Sequence, residues 1–168
     1  MSITKLNNLS ISAVTALPSG VGGKVLQVVT AFKSDSFSTS SGTFTDVTGV
    51  SVSITPSSAS NKILIFCRFS TINDTGSRVN AFNLVRNSTA IAQPSSSTFV
   101  SSVLVISSGD SSDYEPIMIH HLDSPSTTSS TTYKLQMRTN DGSTGRVGNR
   151  SDGIMSNSSE ITVMEIAG

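Results

Sequence analysis

The stretch TDVTGVSVSITPSSASNKILIFCRFS, residues 45–70, holds two runs of different pattern around a Pro-Ser turn. In GVSVSI (49–54) every second residue is apolar, so Val50, Val52 and Ile54 share one face of an extended chain while Ser51 and Ser53 share the other. Pro56 and the serines after it mark the turn, because proline fixes its own φ and cannot donate to a ladder. KILIFCRF (62–69) is apolar on both parities. Its length of eight and its β-branched residues favour a buried strand over a helix. Strand, turn, strand is the local grammar, and it sets the expectation for the rest of the chain.

The composition agrees. Of 168 residues, 35 are Ser and 19 are Thr, so nearly a third of the chain favours pleated or turn conformations over helix. A chain of this length fills one domain and buries a single core. Further strand candidates are KVLQVVTAF (24–32), RVNAFNLV (78–85), TAIAQ (89–93), FVSSVLVI (99–106), PIMIHHL (116–122), TYKLQMRT (132–139) and EITVMEI (160–166). KVLQVVTAF is apolar on both faces, with Val25 and Val29 on one side and Leu26, Val28 and Phe32 on the other, which predicts a central strand or a subunit contact. The segment TNDGSTGRVGNRSDG (139–153) reads as a surface connection. About nine strands and no core helix predict an all-β protein, an antiparallel two-sheet β-sandwich of jelly-roll type over residues 24–168.

Residues 1–23 differ from this pattern. Ile3, Leu6, Leu9, Ile11, Val14 and Leu17 are spaced two or three apart, and Pro18 and GVGG follow. This spacing predicts an N-terminal docking arm, extended or partly helical, that precedes the sandwich.

Reactive groups are sparse. Eleven basic residues balance eleven acidic ones, so no field steers the chain to nucleic acid or to an anionic membrane, and neither is expected as a partner. No run approaches a membrane span. Cys67 is the one cysteine, set in an apolar run where it packs as a small hydrophobe. His120 and His121 are adjacent in a strand, so their side chains point to opposite faces and do not chelate one ion. Asp110, Asp113, Glu115 and Asp141 offer oxygen ligands in loops, but without the spacing of a calcium loop, and they read as solvated turn carboxylates. Arg138, Arg146 and Arg150 near Asp141 and Asp152 read as mixed surface ion pairs. No cofactor, metal site or enzymatic activity is expected.

The segments GGKVLQVVTAFKSDSF, FTDVTGVSVSITPSSASNKILI, HLDSPSTTSSTTYKLQ and SEITVMEIAG resemble a family of virion structural proteins and tail-fibre modules of tailed bacteriophages, over approximately residues 22–168. The resemblance implies a jelly-roll-like sandwich, a homotrimer and no catalysis. It implies either a capsid decoration (cement) protein or a tail-fibre or neck component. The chain has a short arm and one module without a repetitive shaft, which favours decoration: a protein made in the host cytoplasm that sits on the capsid surface and binds the major capsid protein. On this reading Ile3, Leu6, Leu9 and Val14 dock on the shell, and Val25, Val29, Ile161 and Val163 make core or trimer contacts. Host-receptor or carbohydrate binding through the loops 110–115 and 140–153 is the competing class, weakened by two Tyr and no Trp for stacking on sugars.

Overall fold

A computed structural model describes residues 24–75, 78–95, 101–106, 114–140, 142–149, 152–154 and 156–168. In chain order the strands are β1 (Val25–Lys33), β2 (Phe37–Thr39), β3 (Thr45–Ile54), β4 (Lys62–Asn73), β5 (Val79–Arg86), β6 (Thr89–Ile91), β7 (Val103–Ile106), β8 (Glu115–Asp123), β9 (Thr131–Thr139), β10 (Gly145–Val147) and β11 (Ser159–Ile166). All pairings are antiparallel.

Two sheets result. In the first, β11 lies between β1 and β4, and β8 borders the other edge of β4. β10 continues the line of β11 along β4 and carries β2 on its far side. In the second, β9 lies between β3 and β5, and β6 and β7 share the outer edge of β5. Without the three-residue strands β2, β6 and β10, the orders are β1-β11-β4-β8 and β3-β9-β5-β7. Consecutive strands therefore cross between sheets in the two interlocked Greek keys of a jelly roll. The sandwich expected from the sequence is present.

The core lies between the sheets and obeys the two-residue period. Ile63, Ile65, Cys67 and Phe69 of β4 face Phe82 and Leu84 of β5 and Tyr133, Leu135 and Met137 of β9, all 2% exposed or less. The Phe69 and Phe82 rings meet 4.6 Å apart at 48°, a tilted contact joining one sheet to the other. Val50, Val52 and Ile54 are buried as their alternation predicts, while Ser51 and Ser53 are exposed.

Several expectations need correction. The segment 139–153, read as a surface connection, contains β10, where Val147 is fully buried and pairs between β4 and β2. Three residues between glycines carry no period for a sequence to show. Gly145 is required there by space, because a Cβ would run into the Met137 and Asn80 side chains. β3 begins at Thr45, earlier than expected, since a bulge between Asp46 and Ser51 with Gly49 at φ +85° breaks the alternation. β4 runs on to Asn73 through polar residues that are nonetheless buried. Asn73 donates to Asn80 Oδ1 and to Ser143 Oγ, both at 2.9 Å, and Asn80 donates to Thr71 Oγ1 at 2.9 Å. Finally, among the described residues β1 forms the edge of its sheet and is not a central strand.

Candidate interaction surface

A bulge shapes the edge strand. Val25 pairs with Ile166 and Gln27 with Glu165, leaving Leu26 as the extra residue. The bulge puts Val25, with Val28, Thr30 and Phe32, on the outer face, while Gln27, Val29, Ala31 and Lys33 turn inward. Val25 and Val29, which the uninterrupted alternation assigns to one side, thus separate. Val25 is 48% exposed and Val29 packs against the core. Ile161 and Val163 of β11 are both fully buried core residues.

The registers align the outward side chains of the first sheet into rows across four strands. One row reads Val28, Met164, Leu64, Leu122 from β1 to β8. The next reads Thr30, Thr162, Phe66, His120, and the third Phe32, Glu160, Arg68, Met118. Val28 (54%), Phe32 (61%), Met118 (58%) and Leu122 (49%) are exposed, and Leu64, Phe66, Met164 and Ile166 are half-buried. The charged pair within these rows, Arg68 and Glu160, meets at 3.2 Å. Strand spacing of about 4.8 Å and a same-face repeat of about 6.7 Å give this face roughly 400 Å² in projection. Seven of the twelve side chains in these rows are apolar, with Thr30, Thr162, His120, Glu160 and Arg68 set among them, and exposed apolar side chains gathered on one sheet face mark a candidate interaction site.

Two polar clusters fix the ends of this face. At the β1 entrance, buried Glu165 accepts hydrogen bonds from Gln27 Nε2 (2.6 Å), the Ser57 backbone N–H (2.7 Å), Ser57 Oγ (2.8 Å) and Asn61 Nδ2 (2.5 Å). Burial alone would raise its pKa, but the donors from Asn61, Gln27 and Ser57 win and hold it at about 2, below the ordinary 4.5. The Ala167 backbone N–H donates to the Lys24 carbonyl at 2.9 Å, so the place where residues 1–23 join the sandwich is pinned beside this cluster. At the β8 end, Asp123 takes Arg86 Nη1 at 2.8 and 2.9 Å and the Tyr133 hydroxyl at 2.7 Å. This triad ties β8 of the first sheet to β5 and β9 of the second.

The Glu165 cluster predicts a pH dependence. A carboxyl held below its unfolded value adds stability that is complete above about 4.5 and is lost as pH falls through about 2. Urea denaturation between pH 6 and 2 is expected to show a steeper loss for the native chain than for Glu165→Gln, whose amide does not titrate; equal slopes would refute the assignment.

The remaining candidates are dispersed. Ile3, Leu6, Leu9, Val14, Asp110, Asp113, Asp141 and Arg150 lie outside the described residues. Arg146 forms an ion pair of the kind expected, but with Asp74, which it grips with two nitrogens at 2.7 Å each, and the Arg138 guanidinium sits 4.9 Å over the Phe44 ring. His120 is exposed on the outer face and His121 half-buried on the other. Cys67 is buried, and desolvation pushes its thiol up to about 12. Among the described residues no group of three or more His, Cys, Asp or Glu is placed to hold a metal ion, and no helix is long and apolar enough to cross a membrane. An open cleft of about 500 Å³ lies at the β4–β8 margin, lined among others by Arg68, Ser70, Tyr114, Pro116, Met118 and Asn157.

Sequence reasoning missed the outer face as a unit. Its signal was the double-parity apolar pattern of KILIF and VLQVV, but only the register shows that the surplus apolar residues of four separate strands fall side by side.

No family model matches the chain, and no curated protein does. Among solved structures, a chain in the structure of infectious bursal disease virus Gx strain is similar at 12% identity and a TM-score of 0.39, over 84% of this chain. This chain spans 37% of the length of that one.

Proposed function

We propose that this chain is a non-enzymatic structural protein of a virion that works by assembly. The observation that carries the reading is the outer face of the β1-β11-β4-β8 sheet, which presents apolar side chains with their one ion pair already closed. A surface of that kind gains free energy by being covered rather than by turning over a substrate. Jelly rolls serve virus shells as well as lectins and cupins, so the fold is compatible with the reading and does not by itself decide it.

The finer reading follows the resemblance to tailed-phage virion proteins. Here the chain is a homotrimeric capsid decoration protein, and residues 1–23 bind the major capsid protein. Several arms on one assembly raise avidity by about 10² to 10⁴ over one arm. Support comes from the apolar positions Ile3, Leu6, Leu9 and Val14, and from the junction at Lys24, whose carbonyl is held by the Ala167 N–H. Deletion of residues 1–17 is expected to leave the fold intact and reduce co-sedimentation with capsids by at least about 100-fold. Undiminished binding would refute the arm.

The second reading, a fibre or neck component that recognises a host glycan, draws on the cleft beside Arg68 and Tyr114. Signal on a glycan array that disappears in Tyr114→Ala would favour it over decoration.

A further inference from the structure

We infer that the outer face of the β1-β11-β4-β8 sheet pairs two copies of this chain back to back, about a two-fold axis that runs parallel to the strands. The inference rests on reading the chain as an assembly protein, and it names the surface and the partner.

The face is self-complementary under that operation. A two-fold axis along the strands keeps each row in place and reverses the strand order, so β1 covers β8 of the partner subunit and β11 covers its β4. The row Val28, Met164, Leu64, Leu122 then meets the same four side chains in reverse, an apolar stripe against an apolar stripe. Phe32 meets the partner's Met118, aromatic ring against thioether, a favourable pairing. In the same row Glu160 meets the partner's Arg68, and Arg68 meets the partner's Glu160. The charge sequence of that row, acid on β11 and base on β4, is the order a two-fold requires, since a reversed row brings opposite charges together twice. Like charges do not oppose one another anywhere in these three rows.

Area and net charge agree with a second copy as a weakly held occupant. Two faces of roughly 400 Å² in projection make about 800 Å² before side-chain relief and rim are added, a small interface below the roughly 1,200 Å² of stable complexes and of the size of a weak pairing. Contacts between identical subunits are more apolar than transient ones. The chain has a formal net charge of zero at pH 7, so copies do not repel, and no excess charge selects a strongly charged partner instead.

The test uses the full chain. Light scattering with size exclusion is expected to give an even number of copies, the smallest being twice 17.5 kDa. With the trimer of the proposed function the result is six, two trimers joined through this face, and three copies alone is the result that overturns the pairing. Val28→Asp combined with Leu122→Asp, both at exposed positions, is expected to keep the native circular dichroism spectrum and raise the dissociation midpoint by at least about 100-fold. Arg68→Glu alone is expected to weaken pairing, and adding Glu160→Arg to restore it. A native chain of one or of three copies overturns the inference, as does an even-numbered assembly indifferent to these substitutions. Capsid binding reads out separately. A chain that binds shells as a monomer or trimer sinks the two-fold pairing and leaves the proposed function standing, whereas a stable dimer absent from purified particles does the reverse.

Discussion

Replacing Ile65 with aspartate is expected to leave little folded protein. Ile65 is 0% exposed in the middle of β4, with Val163 of β11 on one side and His121 of β8 on the other. It points between the sheets, where its neighbours are aliphatic and aromatic. A carboxylate placed there loses its water among aliphatic neighbours, with the half-buried His121 ring as the one polar group of its row, so it either stays charged at a penalty of many kcal/mol or folds protonated, with its pKa driven up. Either way the loss is several kcal/mol, against a total stability of about 5–15 kcal/mol for a domain of this kind. The expected readout is a collapse of soluble yield and of the strand signal in far-ultraviolet circular dichroism. Leu64, one residue earlier, points to the outer face, so Leu64→Asp is expected to cost far less. A native melting temperature for Ile65→Asp, or equal damage at both positions, would refute the register.

Asp123→Ala is expected to remove about 3 kcal/mol. The Asp123 side chain is 8% exposed and receives both Arg86 and the Tyr133 hydroxyl. Truncation leaves a guanidinium and a buried phenol without their acceptor. Breaking one side of a buried pair costs about 3–5 kcal/mol, and the lower end applies here because the Arg86 side chain is 29% exposed and water takes over part of its solvation. Burial and the neighbouring carboxylate already drive the Tyr133 pKa upward, so the phenol stays a neutral donor across the physiological range. Tyr133→Phe, which keeps the ring and removes one bond to a charged acceptor, is expected to cost about 1–2 kcal/mol. Urea denaturation measures both, and an Asp123→Ala chain within about 0.5 kcal/mol of native would show that the triad contributes nothing net.

Periodicity made the sandwich legible before its geometry was known. The alternation in 49–54 and 132–139 and the apolar runs at 62–69 and 160–166 became β3, β9, β4 and β11, with their inward residues in the core. Two kinds of information were not available in that way. Strands of three residues, such as Phe37–Thr39 and Gly145–Val147, are too short for a period and exist because longer neighbours offer them an edge. Register is also non-local. Nothing near Val28 in sequence shows that Met164, Leu64 and Leu122 complete its row, nor that the Leu26 bulge turns Val25 outward. The polar clusters were hidden for the same reason. Glu165 reads as one more residue of an alternating strand, and Asn61, Ser57 and Gln27 join it only once β1 and the 55–61 turn are in place.

The position of β11 between β1 and β4 bears on how the molecule is made. Val25 pairs with Ile166, so among the described residues the first strand of the sandwich has no neighbour in its sheet until the last of these strands has been synthesised. Until then one long margin of β4 also lies open, with backbone donors and acceptors available to any passing chain. Closure therefore waits for a pairing of high contact order and is slow, and a nascent chain stalled before residue 159 would expose both unpaired margins to aggregation.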